Sequence, residues 1–283
     1  KANEEIDEDP IVKKFQVNTG EFWHFKDNDI LKISQEDKLN LLKSFFPIIK
    51  SKEEVKMWRA IYLDRKITKE FYSSKGANLK FDYQTCALAY RYSLNVDGKT
   101  LDSGYDKTTT DFEELKYFGE KLKDKLERDI LFTRDAKPIT PGKYTVIFSP
   151  IATGVFTHES FGHKSEADLM LGDETMMKEW SIGKKVGADN LSIVDRGDIL
   201  GSGFVPYDDE GTRTEKTYLS KDGILACRLH SSITAASLNE EITGNARALN
   251  FEFEPIVRMT TTYIEAGTKT KEELIAELKE GIL

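Results

Sequence analysis

Residues Ile151–Leu171 read I-A-T-G-V-F-T-H-E-S-F-G-H-K-S-E-A-D-L-M-L, and the interpretation of the whole chain turns on them. Two of the four histidines, His158 and His163, lie here, and three acids fall between His158 and Asp168. His158 and Glu159 are adjacent, and His163 follows His158 by five positions. Zinc takes neutral imidazoles as ligands, and a neighbouring carboxylate can accept a proton from bound water, so these residue types suit a metal centre with a general base. In the common zinc-protease motif the histidines are four apart and share one helix face. Five residues of regular helix turn the chain by about 500°, which leaves the two side chains roughly 140° apart. A shared metal therefore requires a break in the helix, and Gly162 is the expected place for a one-residue bulge or loosened turn. The competing interpretation of a lone histidine is a half-buried side chain with one hydrogen bond. The grouping with Glu159, Glu166 and Asp168 weighs toward metal chemistry.

Composition narrows the rest. The chain has 283 residues, enough for two ordinary domains, and its 39% apolar residues and 19 glycines are those of a globular protein. Its net charge of −8 opposes a phosphate-binding surface, so nucleic acid is not an expected partner. No run of eighteen apolar residues is present, so no membrane span is expected. Cys86 and Cys227 lie far apart and form no metal or redox pair by spacing, which leaves both as buried apolar thiols. The chain opens on Lys1 and carries no recognisable signal peptide.

Residues Lys1–Asp29 are polar and without periodicity, and are expected to form an irregular arm. Ser34 caps a helix whose apolar positions Leu39, Leu42, Phe45 and Phe46 run to Pro47. From Val55 to Tyr105 the pattern alternates, as in antiparallel strands, with Asp97-Gly98 as a hairpin turn between Arg91–Val96 and Lys99–Tyr105. The tyrosines there read as core and cross-strand pairs rather than as a stacking platform. Thr110 and Glu113 form a capping-box signature ahead of a helix of about twenty residues, with Phe112, Leu115, Phe118, Leu122, Leu126 and Ile130 on one face. Pro138 and Pro141-Gly142 then mark a boundary. Tyr144–Phe148 is expected as a buried strand leading through Pro150 into the histidine helix, which Gly172 ends. Short strands follow at Leu191–Val194, Thr214–Leu219, Ile224–His230 and Ile256–Ile264, with a turn at Asp222-Gly223 and helices at Ser231–Leu238 and Glu272–Glu280. The acidic loop Asp208–Gly211 lacks calcium-loop spacing and reads as a turn. The methionines Met170, Met176 and Met177 read as core filling. The fold class expected is α+β, with largely antiparallel sheets and covering helices in two domains, 1–140 and 141–283.

Four segments, in order, resemble the TldD/PmbA metalloproteases, once called modulators of DNA gyrase. They are H-E-S-F-G-H-K-S-E at 158–166, F-V-P-Y-D-D-E-G-T at 204–212, T-G-N-A-R at 243–247 and R-M-T-T-T-Y-I-E-A-G at 258–267. The resemblance is firm from about Tyr144 to Leu283 and only general before that. The zinc motif places the chain with the TldD-like subtype rather than with the PmbA-like partner subunits that lack it. The resemblance implies that His158 and His163 bind zinc and that Glu159 is the general base. It implies a third ligand, a cysteine in a glycine-rich carboxyl-terminal segment that these residues do not include. Cys227, in a strand, does not match it, and His230 or Glu166 would be the substitutes within the chain. A piece of a longer protein, lacking part of both end domains, is therefore expected.

The implied activity is zinc-dependent hydrolysis of peptides or unfolded polypeptides. An extended substrate would lie along a strand edge near Thr243 or Arg258–Tyr263, with Gly244, Asn245, Arg258 and Thr260 as candidate substrate contacts. The implied assembly is a homodimer or a heterodimer with a PmbA-like subunit. The implied compartment is the cytoplasm, with secreted or periplasmic destinations left open by the absent natural start. The alternative is a non-catalytic peptide-binding or scaffold subunit with an unmetallated motif. A DNA-directed role finds no support in an acidic chain.

Overall fold

The computed structural model describes residues 8–279, 281 and 282. The arm at the amino terminus is partly regular. Asp9 accepts the amides of Ile11 and Val12 and caps helix α1 (Pro10–Lys14), and Thr19–Phe22 form strand β1. Ser34 caps α2 (Gln35–Ser44) by accepting the Asp37 amide, and α3 (Phe46–Lys50) follows with Pro47 in its first turn.

Three long strands carry this half of the chain: β2 (Val55–Tyr72), β3 (Asn78–Val96) and β4 (Lys99–Thr109). β3 is central. β2 pairs antiparallel along one side of it, while β1 (parallel) and β4 (antiparallel) share the other. The parallel pairing of Thr19–Phe22 with Asn78–Phe81 explains why the arm looked irregular in sequence: its partner lies some sixty residues away. The β3–β4 hairpin turns at Asp97 and Gly98 with φ of 50° and 83°, the mirror-image turn that matches strand twist.

One face of β3, with Leu88, Tyr90, Tyr92 and Leu94, is buried under Phe45 and Ile49 and under Phe118, Leu122 and Leu126 of α4 (Phe118–Asp135). The tyrosines are thus core residues. The start of α4 departs from the sequence expectation: Asp111, not Thr110, accepts the Glu113 amide, and Phe112–Tyr117 forms a tighter 3₁₀ turn before the α-helix begins. The aspartate carboxylate, one residue nearer to that amide, takes the cap.

The second half is built from shorter pieces. The segment Tyr144–Phe148 is extended but exposed, with a single parallel bridge from Val146 to Ile282, so the buried strand expected there is not found. α5 (Pro150–Thr157) follows, then α6 (Glu174–Glu179). β5 (Ile193–Asp195), β6 (Thr217–Lys221) and β7 (Ile224–Leu225) lead to α7 (Ser232–Leu238), β8 (Ala246–Arg247), β9 (Ile256–Val257), β10 (Thr262–Ile264) and α8 (Lys271–Glu277). One sheet has the order β10-β5-β6-β7, and β8 pairs with β9. Its core is Phe161, Met170, Trp180, Ile193, Leu219, Leu225, Leu229, Val257 and Met259. Met170 is indeed core, with Met176 and Met177 packed beside it. Cys86 is buried and Cys227 partly so, and both are free thiols. A bridging cluster of Leu79, Phe81 and Tyr207 ties the long sheet to the second half.

The acidic loop is a turn, held from inside. Asp208 accepts the amides of Glu210, Thr212 and Ala246 at 3.0, 2.8 and 3.0 Å. Glu210 accepts the Ser232 amide and hydroxyl at 2.7 and 2.8 Å and so anchors the start of α7. The architecture is α+β with mostly antiparallel sheets, and among the described residues no helix is long and apolar enough to cross a membrane.

Candidate metal centre

Ser149 caps α5 by accepting the Ala152 amide at 3.3 Å, with Pro150 in the first turn. The helix does not stop at its eighth residue. It widens into a π-helical turn over His158–Gly162, where the His163 amide donates to the His158 carbonyl, an i→i+5 bond. A single 3₁₀ turn, His163–Ser165, then tightens the chain again. The wide turn resolves the five-residue spacing. One hydrogen-bonded loop now spans the interval between the histidines, and their ring centroids lie 4.6 Å apart at an interplanar angle of 81°.

Gly162 has φ −57°, an ordinary helical value, so its role is not backbone freedom. It is buried, and a Cβ placed there would lie 2.0 Å from the sulfur of Met259. The turn therefore sits directly on the R-M-T-T-T segment. Phe161 points into the same core, with its ring 5.8 Å from that of Trp180. Ser165 closes the far side: its hydroxyl donates to the Phe161 carbonyl at 2.8 Å and accepts from Trp180 Nε1 at 3.2 Å.

His158 and Glu159 are exposed and His163 is half-buried. Among the described residues these three form a cluster whose potential ligand atoms, one from each, all lie within 4.8 Å of one another. His163 Nδ1 lies 3.1 Å from Glu166 Oε2, and Arg258 Nη1 is 3.5 Å from the same oxygen. Glu166 is buried, 2% exposed, and its other oxygen has no hydrogen-bond partner. Its backbone is fixed between Ser165 and Ala167, which bond to both sides of Leu229 at 2.8 and 3.1 Å.

The other sequence candidates fall around a second centre. Asp195, buried at the end of β5, accepts Asn245 Nδ2 at 2.9 Å, the Thr260 amide at 2.9 Å, and the Thr260 and Thr262 hydroxyls at 2.7 Å each. Asn245 Nδ2 also donates to the Arg258 carbonyl at 3.0 Å. Gly244 has φ 73°, and a Cβ there would lie 2.7 Å from the Arg213 carbonyl. Arg258 is the charged member of the set, its side chain is 44% exposed, and it reaches toward Glu166. Asp195 lies outside every segment of the family resemblance, and Met259 lies inside R-M-T-T-T without a role that the sequence assigns; each matters only through residues distant in the chain.

His230 is fully buried, with Nδ1 at 3.1 Å from Thr234 Oγ1 and Nε2 at 2.9 Å from Glu240 Oε2. Burial pushes its pKa below the ordinary histidine value, against the pull of Glu240. Both of its nitrogens are engaged, and it lies outside the cluster. Cys227 is likewise outside it, with its thiol pushed up to about 11 by burial.

The donor set fits zinc. Two imidazoles beside a carboxylate are ligands of the right softness, and two atoms bound at about 2.1 Å to one ion lie no more than about 4.2 Å apart. The observed spacing reaches that limit with a sub-ångström adjustment. With Nδ1 of His163 beside Glu166, Nε2 is the nitrogen left without a hydrogen-bond partner among the described residues, and a carboxylate on the other ring nitrogen is the kind of support that metal-bound histidines carry.

An α+β chain with such a histidine–glutamate turn has the make-up of a metal-dependent hydrolase, and the comparisons name the group. Residues 141–283 match the family described as the PmbA/TldA metallopeptidase C-terminal domain. A metalloprotease from Methanocaldococcus jannaschii is 35% identical over 232 residues, which is 81% of this chain and 51% of that protein. A protein from Saccharolobus solfataricus named a zinc metalloprotease TldD homolog is 28% identical over 252 residues, 88% of this chain and 56% of its own length. In structure, a proposed modulator of a DNA gyrase from Thermotoga maritima superposes with a TM-score of 0.79 at 22% identity, over 95% of this chain and 61% of that one. The chain belongs to the TldD/PmbA metallopeptidase family. It spans about half the length of the curated relatives it matches.

Proposed function

We propose that the protein is a TldD-like zinc peptidase acting on peptides or unfolded polypeptides, with His158 and His163 holding the metal. The observation that carries this reading is the π-helical turn, which gathers two imidazoles and Glu159 to one exposed point. When bound there, zinc supplies Lewis acidity to the scissile carbonyl and to a water molecule. Glu159, exposed and unburdened by any charged partner among the described residues, takes the proton of the attacking water and returns it to the departing amine. A third ligand comes from outside the constellation, since catalytic zinc sites ordinarily use three protein ligands.

The substrate-binding side is supported by the neighbouring strands. β10 is the end strand of its sheet and packs against α5 and the histidine turn, so an extended peptide added at that edge runs beside the site. Arg258 is the charged residue of the Gly244, Asn245, Arg258 and Thr260 set, and its guanidinium, bonded to the Val257 carbonyl and paired with Glu166, still keeps an exposed side toward such a chain; Asn245 and Thr260 steady the wall by way of Asp195. Assembly as a homodimer or with a PmbA-like subunit, and a cytoplasmic location, complete the proposal.

The test is zinc content and peptide hydrolysis of the protein and of Glu159→Gln. Stoichiometric zinc in both, with hydrolysis at least about a hundredfold slower in the variant, is the expected result. Equal cleavage by the two proteins removes the role of Glu159, and absence of zinc from the wild type returns the chain to a scaffold.

A further inference from the structure

We infer that Glu166 is the positioning residue of the site: it holds His163 in the tautomer protonated at Nδ1, which leaves Nε2 as the nitrogen facing outward for a metal. The second half of this statement rests on the zinc reading above; the first does not.

The geometry is specific. A neutral imidazole carries its proton on one nitrogen only, and the hydrogen bond made by that nitrogen decides which one remains to bind a metal. A carboxylate has no proton to give, so Glu166 Oε2, 3.1 Å from Nδ1, can only accept from it. Histidine alone has no such preference fixed, and an exposed histidine rotates freely. His158, exposed, has no hydrogen bond to its ring among the described residues, so in this pair only His163 is held.

Glu166 is itself held on several sides. It is buried, as Glu210 is, with Ser165 and Ala167 bonded through their backbones to Leu229. Arg258 balances its charge from the exposed side at 3.5 Å. The remaining oxygen, Oε1, is buried without a partner. A buried carboxylate with an unpaired oxygen is unfavourable for stability by itself, by about 1–3 kcal/mol for the missing bond. A residue kept for packing would gain by becoming apolar. The one well-made contact of the carboxylate is the imidazole. In this arrangement Glu166 does for His163 what second carboxylates do for metal-bound histidines generally, raising the basicity of the ligand and removing its rotational freedom.

The test uses the whole chain in two variants, Glu166→Ala, which removes the acceptor, and Glu166→Gln, which keeps the volume. Nitrogen-15 correlation spectra of the metal-free protein report the tautomer of His163 directly. The wild type is expected to show protonation at Nδ1, and Glu166→Ala to shift His163 toward the Nε2-protonated form. Zinc titration is expected to show affinity about 10–100-fold weaker in Glu166→Ala, with Glu166→Gln between it and the wild type. Cobalt substitution gives an absorption spectrum that should change in the alanine variant and not merely weaken. An unchanged tautomer in a folded Glu166→Ala protein overturns the inference, whereas Glu166→Gln, whose amide oxygen still accepts from Nδ1, is expected to keep the wild-type tautomer. If the wild type binds no zinc yet the tautomer shifts, the positioning role stands and the metallopeptidase reading falls. If zinc binds equally to all three proteins, Glu166 has no part in the site.

Discussion

At the scale of single residues, the site depends on Gly162 and Met259 as much as on the histidines. Gly162→Ala drives a methyl group into the Met259 sulfur and is expected to lower stability by about 1–3 kcal/mol in urea unfolding. Adding Met259→Ala should return part of that loss, a coupling that a double-mutant cycle measures. His230 gives a pH signature. Its pKa in the folded protein is depressed by burial, whereas the unfolded chain titrates near 6.5, so the unfolded state binds more protons below that pH. Stability contributed by neutral His230 is therefore present above pH 6.5 and is lost as pH falls below it. Between pH 7 and pH 5 the urea midpoint of the wild type should fall more steeply than that of His230→Gln, and parallel slopes would remove His230 as the cause.

At the scale of elements, hairpins and helices were read from local rules and the turn was read from arithmetic. Asp97-Gly98 follows the alternating strands to the residue, because positive φ at both positions is a local demand. Gly98→Val should accordingly destabilise the β3–β4 hairpin by about 1–3 kcal/mol, visible as a lower unfolding midpoint. The break in the histidine helix was legible too, since a spacing of five cannot be met by a regular helix. Its cause was not: the glycine looked like a flexible point but is a small one, and the methionine it accommodates belongs to a segment far along the chain. The same limit accounts for the other misreadings. β1 is a strand only because β3 offers it an edge, and Tyr144–Phe148 has the pattern of a buried strand but no covering layer among the described residues. Asp195 was invisible for the same reason, as four hydrogen bonds from residues 245–262 make it a hub.

At the scale of the molecule, α5 presents an apolar surface next to the site. Ile151 is 80% exposed and Val155 57%, and the rings of Phe148 and Phe156 stack at 6.2 Å beside them. Scattered apolar residues on a surface are ordinary, whereas a contiguous patch marks contact with something else. The chain should therefore associate with rising concentration in light-scattering measurements, and Ile151→Lys with Phe156→Ser should shift it toward monomer without change in far-ultraviolet circular dichroism. A final consequence concerns synthesis. The seat of the histidine turn is a sulfur about a hundred residues downstream, so a chain emerging from the ribosome displays both imidazoles long before it can fix their spacing. Until Met259 has cleared the exit tunnel, the turn is free to relax into an ordinary helix with the rings pointing apart. Any ion is then captured only after the segment that carries Met259 has been made.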